Sequence, residues 1–176
     1  NQGVHTLGNN TLRATVNGVR SFKVQQASGR LKNAFVKTAQ AAADDDPAFF
    51  LSSGDTSAGA LVIEGTSKLI AQGDFLMDNT SGFQTDPTLQ LHDDAFVQVE
   101  GESTISSGTI LLEDDSKLRL DGRVTSSGSF VLSDRAVLQS DSKFTQENGS
   151  IAIGTGTTMK AGSLVLTGTA SLGFTS

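Results

Sequence analysis

"TILLEDDSKLRLDG", residues 109–122, sets two short beats of alternating apolar residues on either side of an acidic pair. Ile110 and Leu112 form the first beat, Leu118 and Leu120 the second, and Asp114-Asp115 separates them. Alternation with period two marks a strand with one buried face. A single copy fits any hairpin or corner. Its meaning rests on recurrence, and the motif recurs.

Six windows of fourteen residues align, starting at 60, 88, 109, 129, 150 and 163. Their second position holds Leu61, Leu89, Ile110, Phe130, Ile151 and Leu164. The fourth holds Ile63, Leu91, Leu112, Leu132, Ile153 and Leu166, and the tenth Leu69, Val97, Leu118, Leu138, Met159 and Leu172. The eighth is always small: Ser67, Ala95, Ser116, Ala136, Thr157 and Ala170. Asp or Gly recurs at the sixth and seventh positions, where a bend needs residues that tolerate left-handed backbone. The acidic pair is therefore a corner between two sides of one coil.

Each unit is too short to bury its apolar face alone, so neighbouring units must stack. Three windows are followed by a further segment, "ESTISSG", "RVTSSG" or "KFTQENG", carrying Ile105, Val124 or Phe144 and a closing glycine. That segment makes a third side. The expected fold is all-β, a three-sided parallel β-solenoid (a right-handed β-helix) over residues 58–176, its coils about 4.8 Å apart. An antiparallel sandwich also gives short alternating strands at regular spacing and is the competing architecture. The stretch "DFLMDNTSGFQTDP", residues 74–87, reads as an insertion: a protruding loop or a longer third side.

Residues 1–57 read as a separate basic head that caps the solenoid and serves assembly. In "LRATVNGVRSFKV", residues 12–24, Asn17-Gly18 between alternating runs predicts a β-hairpin. "SGRLKNAFVKTAQAAA", residues 28–43, predicts a short capping helix, with Ser28 as N-cap and Leu31, Phe35, Thr38 and Ala42 on one face. Pro47 then bends the chain into a strand at Phe49–Leu51.

Charge divides along the same line. Residues 1–40 contain six Arg and Lys and no Asp or Glu, giving +6; the remaining 13 − 6 = 7 basic and all 19 acidic residues give −12, for the net −6. A basic head on an acidic body favours an anionic partner or a sister molecule. No apolar run approaches the roughly 18 residues of a membrane span, so no membrane insertion is expected. Cysteine is absent, which removes disulfides and thiolate sites. Trp and Tyr are also absent, which weighs against a sugar-stacking cleft.

The repeat resembles the parallel β-helix passengers of bacterial autotransporters and the related haemagglutinin-type adhesins, over roughly residues 60–176. Coil length, paired apolar beats and Gly or Asp corners carry the resemblance, and phage tail spikes and polysaccharide-cleaving β-helices share them. It implies a secreted, surface-displayed protein of bacterial or viral origin. Asn1 in place of Met fits removal of a signal peptide and an extracellular location.

Stacked corners make columns of carboxylates. Asp93 and Asp114 share the sixth position and Glu100 heads the thirteenth, which makes these three the candidate Ca²⁺ ligands; the competing reading is solvated turn aspartates. No other cofactor and no catalytic residue is expected. His5 and His92 lack ligand spacing, and "GTGTTM" at 154–159 is a corner rather than a dinucleotide fingerprint. Nothing in the basic head reads a nucleic-acid groove. The leading expectation is a non-enzymatic structural subunit that polymerises head to tail, with a cell surface or polysaccharide as a further partner. The alternatives are a phage or virion fibre or decoration protein, and a carbohydrate-active β-helix enzyme. The expected assembly contacts are Arg13, Arg20 and Lys23 on the head and Leu164, Leu166, Leu172 and Phe174 at the far end, where windows start only 13 residues apart and Lys160 is the only charge from 148 to 176.

Overall fold

A computed structural model of the chain describes residues 4–39, 47–54, 57–79 and 85–175. The strands come in turns of a coil. First are β1 (Val4–Thr6), β2 (Thr11–Leu12) and β3 (Thr15–Val19), then β4 (Ser21–Gln25), β5 (Ser28–Lys32) and β6 (Phe35–Thr38). Next are β7 (Phe49–Ser53), β8 (Ala60–Glu64) and β9 (Lys68–Ala71), followed by β10 (Phe75–Asn79), β11 (Thr88–Leu91) and β12 (Phe96–Val99). β13 (Ser103–Ile105), β14 (Thr109–Leu112) and β15 (Lys117–Leu120) form the following turn. β16 (Val124–Ser126), β17 (Ser129–Leu132), β18 (Val137–Gln146), β19 (Ser150–Ile153), β20 (Thr158–Leu166) and β21 (Ser171–Phe174) complete the stack.

Every pairing among these strands is parallel, which rules out the antiparallel sandwich. One sheet runs β2-β5-β8-β11-β14-β17-β19-β21. The other descends β1-β4-β7-β10-β13-β16, passes through the long β18, and returns along β15-β12-β9-β6-β3. Each strand thus bonds to its counterpart one coil away, and the result is a nearly closed parallel β-solenoid.

The repeat alignment appears as register. Leu61, Leu89, Ile110, Phe130 and Ile151 follow one another in a single column, as do Ile63, Leu91, Leu112 and Leu132. Leu69, Val97, Leu118 and Leu138 form a third. All are fully buried or within 1 % of it. Removing a Leu side chain from water contributes about 1.5–3 kcal/mol, so the columns dominate stability. The small eighth residues Ser67, Ala95, Ser116 and Ala136 are buried at the corner.

Two expectations fail before residue 40. No helix occurs among the described residues: 28–38 form β5 and β6, while 40–46 lie outside them. Asn33, at φ 49°, turns the chain between the two strands, and a left-handed residue cannot continue an α-helix. The edges of β8 and β9 supply backbone partners for this segment, and that outweighs helix propensity. The hairpin is also absent. β3 pairs in parallel with β6, and β4 with β1 and β7, so Asn17-Gly18 is no turn between partners. Instead Gly18, at φ 75°, accommodates a register shift between Asn17 and Val19, a bulge within β3. The ladders run on across residues 57 and 58, and the stretch 74–79 supplies β10 to the same row as β7 and β13. Residues 80–84 of the expected insertion lie outside the described chain.

Candidate functional site

Asp93, Asp114 and Asp134 adopt φ of 58°, 58° and 60°, with glycine doing the same at Gly65 and Gly168. The bend is closed by N–H donation from Ala95 to the His92 carbonyl at 3.1 Å and from Ser116 to Glu113 at 3.2 Å. Where the sixth residue is Thr155, whose branched side chain resists left-handed backbone, the positive φ moves to Gly156. The carboxylates have a local use. Asp93 Oδ2 accepts the Gly65 N–H at 2.9 Å, and Asp114 Oδ2 accepts the Asp93 N–H at 3.1 Å. They tie each corner to the coil before it.

Neighbouring acids are engaged by cations. Arg135 makes a bidentate contact with Asp115, 2.6 Å from each oxygen, and this hydrogen bond lowers the Asp115 pKa below the ordinary carboxylate value. Arg119 bridges two coils, with Nε 2.6 Å from Asp121 Oδ1 and Nη2 2.7 Å from Asp141 Oδ2. Gln98 and Gln139 donate to the same two carboxylates at 2.8 and 2.6 Å. The Asp141 carboxyl is held low, first by the Gln139 hydrogen bond and then by Arg119. Glu64 is likewise held low by the Lys32 hydrogen bond, with Arg30 alongside.

The three candidate Ca²⁺ ligands do not converge. Asp93 and Asp114 are on successive coils at one corner, while exposed Glu100 follows β12 at its opposite end. A four-residue strand separates them by about 13 Å. Among the described residues no group of three or more His, Asp or Glu is arranged to hold a metal ion.

The expected assembly residues lie toward two ends of the stack. At 158–174 the inward columns reach the surface: Leu164 is 37 % exposed, Leu166 42 % and Phe174 77 %. Leu164 and Phe174, with Leu172, Ile153, Met159 and Ala161, line a largely apolar hollow of about 470 Å³. Toward the other end Arg13 is exposed, Arg20 is half-buried at the corner before β4, and Lys23 places Nζ 5.8 Å from the centre of the Phe50 ring. Ile153 and Met159 were legible as fourth- and tenth-position residues. The first-coil apolar residues Leu12 and Val16 had no such signal, because their units fall outside the fourteen-residue alignment. No protein-family model, curated protein or solved structure matches the chain.

Proposed function

We propose that this chain is a non-enzymatic structural protein of the cell exterior, a three-sided right-handed β-solenoid that polymerises head to tail into a filament, matrix fibre or adhesin stalk. The three rows of strands support the three-sided reading, since each strand pairs with its counterpart one coil on. Right-handedness follows the strong chiral preference of parallel crossover connections. The carrying observation for assembly is the hollow at 158–174, where columns buried throughout the stack surface together. Such a face exposes apolar core and unpaired strand edges, which proteins normally cover.

A second copy has what is needed to cover it. Leu12, Leu31 and Ile63 stand in the column that ends in Phe174, and Val16 and Val36 in the column that ends in Met159. The arriving coil would thus continue these two columns with further apolar residues. The +6 of residues 1–40 would also be drawn to the −12 body of its neighbour. Head-to-tail contact of this kind does not close on itself, so it yields filaments. Electron microscopy and sedimentation of the purified chain in low salt test this directly. Unbranched filaments are expected, shortened by added salt through screening. A monomer that persists at high concentration overturns the proposal.

A further inference from the structure

One inward column is aromatic. Phe22, Phe49 and Phe75 are paired in register and fully buried or nearly so, with ring centroids 6.2 and 4.5 Å apart. The column begins with His5, whose ring stacks on Phe22 at 5.7 Å and 7° between planes. At the other end of the stack the same column passes through Val124 and Phe144 to Leu164. His5 is its one titratable side chain, and it stands where every head-to-tail contact would add the next member.

Resting on the head-to-tail reading above, we infer that the contact between copies is gated by protonation of His5. The neighbour's Leu164 settles on the imidazole as Phe49 settles on Phe22, so His5 is held between an aromatic ring and an aliphatic side chain. A neutral imidazole tolerates that sandwich. An imidazolium would lose its water there without gaining an anion.

β4, packed against β1, contributes Lys23, one position from the His5 partner Phe22, with Arg20 just before it. Arg13, Arg30, Lys32 and Lys37 are the other charges among residues 4–39, which contain no Asp or Glu. Of these, Arg30 and Lys32 are engaged by Glu64. On the arriving face, residues 161–175 carry no charge; Lys160 lies earlier on β20, and β18, packed against it, brings Lys143, paired with Ser163, and Asp141, with Glu147 just after the strand. Desolvation therefore favours dissociation once His5 is charged. Histidine is the side chain whose charge ordinarily changes within about pH 5–8, which is the range in which the gate is to be tested.

The test compares wild type and His5→Phe by sedimentation and light scattering at about pH 7.5 and about pH 5.5, with circular dichroism confirming the fold in each case. Wild type is expected to polymerise at the higher pH and to lose at least roughly tenfold in polymer mass at the lower. His5→Phe, which completes the aromatic column, should polymerise at both. Absence of wild-type polymer at the higher pH overturns the head-to-tail reading itself. Wild-type polymer that survives at the lower pH overturns only the gate. So does loss of both proteins' polymer in acid, which would locate the sensitivity elsewhere.

Discussion

Leu112 and Leu111 are adjacent in β14 yet belong to different environments. Leu112 is fully buried between Leu91 and Leu132, whereas Leu111 is half-buried on the outer face between Gln90 and Val131. A carboxylate at Leu112 would sit unpaired in a continuous apolar column. Leu112→Asp should cost about 3–5 kcal/mol in urea denaturation, and Leu111→Asp no more than about 1 kcal/mol. Similar losses at the two positions would mean that the columns are not the core. These inward positions were readable from sequence because period-two alternation survives wherever one face is buried. The sixth position was readable for another reason: left-handed backbone restricts composition to Asp, Asn and Gly at nearly every corner. Gly65 shows the steric side of that rule, since a Cβ there would come within 2.1 Å of Asn33 Oδ1.

At the scale of strands and corners, the segment 28–38 shows why a solenoid can imitate a helix. Leu31 and Val36 point inward on either side of the Asn33 corner, with Thr38 two residues further along β6. Interposing a corner between two alternating runs yields apolar spacings that approximate a 3.6-residue period. Only the edges of β8 and β9 resolve the ambiguity, and those edges are distant in sequence. The corner columns have their own chemistry. Asp93 and Asp114 already accept backbone N–H groups, and Glu100 lies at another corner, so millimolar Ca²⁺ should leave the melting temperature unchanged relative to chelator. A rise would show that the acids converge around an ion, since a ligand bound only by the folded state stabilises it. Acid should have an effect. Asp115, Asp141 and Glu64 titrate below their ordinary values in the folded chain, so their contribution is fully present above about pH 5 and is lost as pH falls through the lowered values. Asp78, raised by burial, acts in the opposite sense. Thermal melts of Arg119→Gln and Arg135→Gln should therefore decline less steeply between about pH 4 and pH 2 than those of wild type. Identical slopes would mean that these exposed pairs carry no linkage.

Across the whole molecule, a stack of coils differs from a globule in having two unlike ends and one repeated cross-section. Each coil contacts only its neighbours, so stability is approximately a sum of local terms and the chain can be disabled at one end without unfolding. Leu164 and Phe174 are already 37 % and 77 % exposed, so charges placed there burden the free chain little. In the proposed contact the same charges would be driven against the apolar first coil of the next copy. A Leu164→Asp, Phe174→Asp double variant should accordingly remain a folded monomer. Its first coil is intact, however, and can still dock on the hollow of a wild-type copy. Head-to-tail growth then stops, because the docked variant offers nothing to the next subunit. Mixed with wild type at a tenth of the total, the variant should cut mean filament length to roughly ten subunits, since each incorporation ends a chain. An assembly built from self-complementary two-fold contacts would behave differently. There the variant would fail to join at all, and wild-type polymer would form beside it with length undiminished. Filament length measured by electron microscopy against variant fraction separates the two, and a flat dependence would exclude head-to-tail growth through this face.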